Sequence, residues 1–175
     1  MTAPRVVLVG PMGAGKTTVG RLLADAWGVA LRDTDQDIEE AEGRSVSDIF
    51  VESGEEYFRE REHAAVLTAL TEHDGVLALG GGAVLSEASR ALLTGYGRDG
   101  GTVVHLDVDV HDAAKRAGLS RDRPLLAVNP RAMLRTMLEQ RAPLYAEVAT
   151  ATVPTQGRTP EDVVADVLAV LGVRR

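Results

Sequence analysis

The chain has 175 residues, 45% hydrophobic and 26% charged, which is one domain's worth of ordinary globular sequence. Its formal charge of −7 argues against a global basic field for nucleic acid or an anionic membrane, so a bound anion must be held by local groups. With no cysteine, it excludes disulfides, a thiolate nucleophile and cysteine-based zinc sites, and the four histidines (His63, His73, His105, His111) are scattered without metal-ligand spacing.

In chain order, a β-rich apolar run at Arg5–Val9 comes first. It is far shorter than the roughly 18 residues of a membrane span and leads into glycines rather than a cleavage site, so a cytoplasmic location is expected. A helical period follows over Lys16–Trp27, then a strand over Val29–Asp33. Ser45 begins an S-V-S-D capping pattern before a short helix at Val46–Phe50, and a longer helical run covers Glu55–Glu72. A strand at Val76–Leu79, a helix at Glu87–Leu93, a glycine-rich connector at Gly95–Gly101 and a strand at Thr102–Leu106 come next. The helix predicted at Val110–Arg116 leads into Gly118–Pro130, a long connection carrying Arg121, Arg123 and two prolines; such a length in a compact domain points to function. A helix at Arg131–Ala142 and a strand at Thr150–Val153 precede a last helix at Pro160–Leu171. Its start, Thr159-Pro160-Glu161, supplies a cap, a proline at the first position and an acid. Strands alternating with helices predict βαβ units and a parallel sheet covered on both faces. With aromatics at only 3%, the core must be built from Val, Leu, Ala and Ile.

Gly10-Pro11-Met12-Gly13-Ala14-Gly15-Lys16-Thr17 fits G-x-x-x-x-G-K-[ST] in full, between a strand pattern and a helix pattern as that motif requires. Glycines let backbone N–H groups turn inward around phosphates, and the following helix points its positive end at them. Lys16 can reach the β- and γ-phosphates, and the Thr17 hydroxyl can ligate Mg²⁺. GTPase switches and ATP-driven regulators share this loop, but the N-K-x-D base-reading motif of GTPases is absent and a motor ATPase usually needs a longer chain.

Asp33-Thr34-Asp35 closes the second strand, at the strand end where open parallel sheets bind ligands. If that segment is extended, its two carboxylates share a face. One would then hold Mg²⁺ through water while the other contacts an acceptor hydroxyl and takes its proton. A helix cap and solvated loop remains the alternative. Asp107 and Asp109 form a rival pair that reads better as capping the next helix. Gly80-Gly81-Gly82 allows a ligand to approach the backbone, or is a plain turn. By pattern alone, Arg59 in Phe58-Arg59-Glu60-Arg61-Glu62 reads as part of a solvated face with i,i+3 pairs, and Arg141 as a surface or dipole-compensating charge. Trp27 reads as a packing residue, and the histidines as surface or structural.

Taken together, G-P-M-G-A-G-K-T, D-T-D, G-E-E-Y-F-R, L-G-G-G-A-V, R-P-L-L and R-A-P-L-Y stand in the order found in shikimate kinases. From about Val6 to the last helix the chain resembles that family, most closely its actinobacterial members. The resemblance implies an α/β three-layer P-loop fold like that of nucleoside monophosphate kinases, with a five-stranded parallel sheet in the order 2-3-1-4-5. It implies a single domain, with a shikimate-binding subdomain over residues 34–62 and a lid over residues 118–130. The implied reaction is ATP- and Mg²⁺-dependent phosphorylation of the shikimate 3-hydroxyl, on the route to chorismate and aromatic amino acids. The implied enzyme is a monomer whose partners are shikimate and ATP, with no nucleic acid or membrane.

The same resemblance gives the ambiguous residues roles. Arg59 and Arg141, with the Gly81 backbone, would hold the shikimate carboxylate. Asp35 would bind the shikimate hydroxyls beside the attacking 3-OH. Gly80 and Gly82 would line the pocket, with Phe50 and Phe58 as its wall. Gly13, Ala14, Gly15, Lys16, Thr17 and Thr18 would hold ATP, with Asp33 supporting Mg²⁺ through water beside Thr17. Arg123 would swing in from the lid to the phosphates, so that Lys16, Asp35 and Arg123 carry catalysis. Arg116, Arg158 and Pro160 would border adenine. Two departures from the pattern stand out: Thr17 replaces the commoner Ser and keeps the hydroxyl, and Gly157 stands where many relatives have a basic residue. An alternative acceptor is gluconate or another hydroxy acid, against which R-A-P-L-Y and G-E-E-Y-F-R argue. A nucleotide-binding regulator without an acceptor is the remaining alternative, and it would have no use for paired acceptor-side arginines.

Overall fold

The computed structural model describes residues 2–116, 118 and 129–172. Four consecutive apolar residues, Val6–Val9, form β1, and all are buried, as a parallel strand covered on both faces requires. The other strands are β2 (Leu31–Asp33), β3 (Val76–Ala78), β4 (Val103–Asp107) and β5 (Ala151–Pro154). They pair in the order β2-β3-β1-β4-β5, every pair parallel. This is the five-stranded sheet expected.

The helices are α1 (Lys16–Trp27), α2 (Thr34–Glu42), α3 (Val46–Glu72), α4 (Glu87–Arg98), α5 (Val110–Arg116), α6 (Pro130–Val148) and α7 (Pro160–Val170), with a 3₁₀ turn at Ala83–Leu85. The period of two along β1 sorts them into layers. Val6 and Leu8 pack with Leu23 of α1, Ala113 of α5 and Val167 of α7. Val7 and Val9 pack with Val66 of α3, Leu93 of α4 and Tyr145 of α6. A separate small core of Ile38, Ile49 and Phe58 joins α2 to α3. Trp27 packs against the first of these cores, as a packing residue should.

Several element boundaries differ from the sequence reading. β2 starts at Leu31 rather than Val29 because the chain is still leaving α1: Gly28 is left-handed and the Val29 N–H donates to the Ala24 carbonyl at 3.0 Å. The segment Asp33-Thr34-Asp35 is not extended. Asp33 caps α2 by accepting from the Asp35 N–H at 3.0 Å, and the helix begins at Thr34. The missed signal was the cap followed by acids in the first turn, Asp35 and Asp37. Val46–Phe50 and Glu55–Glu72 are two stretches of α3, broken only at Gly54, whose φ of 85° and ψ of 167° no helix contains. Ser45 caps that helix as expected, and Thr159 forms a full capping box with Asp162 on α7.

α4 runs on to Arg98 through the glycines taken for a connector, because Tyr96 anchors its end: the phenol donates to the Pro4 carbonyl at 2.7 Å. α6 continues past Ala142 with Pro143 inside it, its last turns held by buried Tyr145 and Val148. Among the described residues, no helix is long and apolar enough to cross a membrane.

Candidate functional site

The phosphate side is built from backbone. Gly15 caps α1 in a left-handed conformation, φ 92°, and among the described residues no side chain occupies the cap, which leaves the first N–H groups of the helix to an anion. Lys16 lies over the loop and donates to the Gly10 and Pro11 carbonyls at 2.7 and 2.9 Å. Burial lowers its pKa to about 8, although Asp35 and Asp33 pull the other way. Gly13, Gly15, Lys16, Thr17 and Thr18 line a cleft of about 390 Å³ together with Asp33, Asp35, Gly81 and Arg116. Ala14, one residue inside the same loop, is buried in the core beneath it.

Asp33 and Asp35 reach this cleft by a route the sequence reading did not foresee. They do not share a face of an extended segment. Asp33 sits at the end of β2 and Asp35 in the first turn of α2, and the turn of the helix brings them together. The Thr17 hydroxyl donates to Asp33 Oδ2 at 3.2 Å. Burial raises the Asp35 pKa, with Asp33 adding repulsion that Lys16 partly offsets. Asp33 is thus a helix cap and a wall of the cleft at once. Asp109 caps the start of α5 by accepting from the Asp112 N–H at 2.7 Å, as expected of that rival pair.

The glycine turn after β3 is where three elements meet. Thr34, fully buried, accepts from the Gly80 N–H at 3.0 Å. A Cβ on Gly80 would strike the Asp35 carboxylate, and one on Gly82 would strike the Arg59 guanidinium. One on Gly81 would come within 3.2 Å of the Met12 nitrogen in the phosphate loop. Side chains at Gly80 and Gly82 would thus displace the tips of Asp35 and Arg59, and one at Gly81 would press on the phosphate loop, so the turn is more than merely flexible.

Arg59 is not a solvated charge. Its guanidinium lies 5.7 and 5.3 Å from the ring centroids of Phe50 and Phe58 and forms ion pairs with Glu55 and Glu62. An i,i+3 pair in this run was anticipated, but not that the partner of Arg59 is buried. Glu62 is only 2% exposed, and desolvation pushes its carboxyl up to about 7 despite the opposing Arg59 charge. Arg141, on α6, has its charge felt on both sides of the site: it works against protonated Lys16 and favours ionisation of Glu62 and Tyr145. It too is more than a surface charge.

Sequence reasoning missed Glu62, Thr34 and Tyr145 as parts of this neighbourhood. Only the three-residue spacing from Arg59 could have suggested Glu62. Three histidines are structural, His63 bonding Ser89, His73 bonding the Val76 carbonyl and His105 stacking on Tyr145, while His111 is exposed on α5.

On the far side of the phosphate loop, Arg116, Arg158 and Pro160 line a smaller cleft of about 260 Å³ with Ala14, Gly15, Thr18 and Thr155. Arg116 donates to the Thr155 carbonyl at 2.8 Å and to the Gly13 carbonyl at 3.2 Å, while Arg158 pairs with Asp166. The Gly157 N–H donates to Asp112 at 2.7 Å. Arg123 and the body of the expected lid lie outside the described residues.

A family model described as shikimate kinase matches residues 12–172. A shikimate kinase of Streptomyces avermitilis is 58% identical over 174 residues, covering 99% of this chain and 99% of its own length. One of Salinispora tropica is 59% identical over 169 residues, covering 97% of this chain and 98% of its own. Among solved structures, a shikimate kinase from Acinetobacter baumannii in complex with shikimate superposes with a TM-score of 0.86 at 37% identity, covering 98% of this chain and 93% of that one.

Proposed function

The chain belongs to the shikimate kinase family, and from that premise we infer that it transfers the terminal phosphoryl group of ATP to the 3-hydroxyl of shikimate. The observation that carries this reading is the convergence, at the carboxyl ends of β1, β2 and β3, of a phosphate loop with Asp35, Arg59 and the glycine turn. A nucleotide-binding regulator would have no use for that convergence.

The geometry supports a division of labour. The open N–H groups of the loop and of α1 hold the phosphates, and the Lys16 ammonium leaves its carbonyl partners for the charge that shifts during transfer. Arg59 and Arg141 hold the shikimate carboxylate with the Gly81 backbone, Phe50 and Phe58 keep Arg59 in place, and Gly80 and Gly82 line the pocket and leave room for the Asp35 and Arg59 side chains. Asp35 binds the acceptor hydroxyl, and its raised pKa suits it to take the proton. Arg123 adds positive charge from the lid, residues 118–130. Adenine lies in the cleft of Arg116, Arg158 and Pro160.

The donor set fits Mg²⁺. Thr17 and Asp33 present hard oxygens 3.2 Å apart, which suits an ion that keeps most of its waters. Bound there, it would neutralise phosphate charge during transfer. Catalysis then rests on positioning and electrostatics, in a single domain with residues 34–62 as the acceptor-binding part. The enzyme acts in the cytoplasm as a monomer.

A coupled assay of ADP release tests the assignment. ADP should appear only when ATP, Mg²⁺ and shikimate are all present. An equal rate without shikimate, or full replacement of shikimate by gluconate, overturns it.

A further inference from the structure

The three carbonyls of the glycine turn are fixed in two different ways. The Gly80 carbonyl accepts from the Ala83 N–H at 3.1 Å and the Gly82 carbonyl from the Leu85 N–H at 2.9 Å, both local 3₁₀ bonds. The carbonyl between them, that of Gly81, takes no such bond. It accepts instead from the phenol of Tyr145, 64 residues away on α6, at 2.6 Å. On the donor side, the Gly80 N–H is taken by Thr34, while no acceptor is found among the described residues for the Gly81 and Gly82 N–H groups. The turn is thus tied down by its carbonyls and left with two neighbouring N–H groups to offer, an anion-binding arrangement of backbone.

Tyr145 is placed to hold that arrangement rigidly. It is 2% exposed, its ring stacks on His105 of β4 with centroids 4.9 Å apart, and it lies one helical turn beyond Arg141. One face of α6 therefore carries both an arginine of the acceptor site and the phenol that orients the peptide of the glycine turn. Burial pushes the phenol up to about 12, so it remains a donor throughout the working range of pH.

We propose that Tyr145 is a positioning residue for acceptor binding: by fixing the Gly81 carbonyl it turns the Gly82 N–H, which shares that peptide plane, beside the Gly81 N–H toward the acceptor's carboxylate. The residue touches no reacting atom. Its contribution is to preorganise backbone donors that would otherwise have to be ordered on binding. The inference rests on the assignment of shikimate as acceptor.

The test compares wild type with Tyr145→Phe and Val148→Ala by calorimetric titration with shikimate and, separately, with ATP, alongside steady-state kinetics and thermal unfolding. Val148 is a buried α6 residue of the same core whose side chain cannot hydrogen-bond the turn, so its truncation reports destabilisation without loss of that bond. Tyr145→Phe should weaken shikimate binding and raise its KM by on the order of tenfold, the size expected for a lost buried hydrogen bond, with ATP affinity unchanged. Val148→Ala should lower the unfolding midpoint and leave both affinities alone. Shikimate affinity within about twofold of wild type in Tyr145→Phe overturns the proposal. So does a loss for both ligands that Val148→Ala reproduces, since the phenol would then act through stability only. Failure of wild type to bind shikimate would instead overturn the substrate assignment.

Discussion

The two halves of the site are built on different principles. The phosphate side is one contiguous loop, residues 10–17, whose chemistry is carried by backbone N–H groups and one lysine. The acceptor side is assembled from β2, α2, α3, the glycine turn and α6, and its chemistry is carried by side chains that meet only in the folded protein. The difference teaches where each half is vulnerable. A backbone cradle tolerates change except at its glycines and lysine, whereas an assembled pocket is sensitive at every contact that brings distant segments together.

The contrast breaks most sharply at Lys16. Lys16→Ala should leave the fold intact and lower kcat by on the order of 10²–10³, because its charge acts mainly on the transition state. Steady-state kinetics with a check of folding by circular dichroism measures this; a folded variant keeping most of the wild-type kcat would remove the lysine from the mechanism.

The acceptor side should break by affinity instead. Arg59→Ala and Arg141→Ala should each weaken shikimate binding by on the order of 10- to 150-fold, as expected for a charge-assisted bond, and leave ATP binding nearly unchanged. The bulk charge of −7 opposes an anionic substrate, so these local cations must overcome it. Losses should be non-additive in the double variant, since both arginines serve one carboxylate. Lysine should rescue neither fully, for want of the planar fork. Calorimetric titration decides, and affinities within about twofold in both single variants would return the arginines to the surface.

A smaller effect sharpens the comparison through pH. Glu62, pushed up to about 7, pairs with Arg59 at the acceptor side, where the Asp35 pKa is also raised. A carboxylate ligand arriving beside them raises both further, so binding takes up protons, and shikimate affinity should rise as pH falls through about 7. Titrations at about pH 6 and about pH 8 should differ by a few-fold, and Glu62→Gln should remove most of that difference. Stability carries the matching sign. The cost of ionising Glu62 in the fold is absent below its ordinary pKa of 4.5 and complete above about 7, so wild type should gain on Glu62→Gln in unfolding midpoint as pH falls across that window.

The smallest effect belongs to the adenine side. Arg158 and Asp166 form an exposed pair, each lowering the other's tendency to lose its charge, and solvent screens such a contact. Asp166→Asn should leave the unfolding midpoint where it is and change ATP affinity by no more than about threefold. A larger loss of ATP affinity would mean that the pair holds Arg158 in place for adenine.

What the sequence determined by itself was whatever is local. The phosphate loop is a run of eight residues, its strand and helix flanks show their periods, and the caps at Ser45 and Thr159 are read within a few positions. Strand alternation and the family resemblance together were sufficient for the five parallel strands and their order. Tertiary structure decided the meaning of residues whose local pattern is ambiguous. Arg59 has the spacing of a solvated helix face, and only its seat over Phe50 and Phe58 beside buried Glu62 makes it a site cation. Asp33 and Asp35 carry the right carboxylates, but it was the start of α2, rather than an extended segment, that turned both toward the phosphate loop. Gly80 and Gly82 look like a flexible turn until the side chains of Asp35 and Arg59 arrive against them, and Tyr145 looks like ordinary core until its phenol is found on the Gly81 carbonyl. The physical reason is the same in each case. Hydrogen-bond partners and burial are set by segments tens of residues apart, and no window of local sequence contains both sides of such a contact.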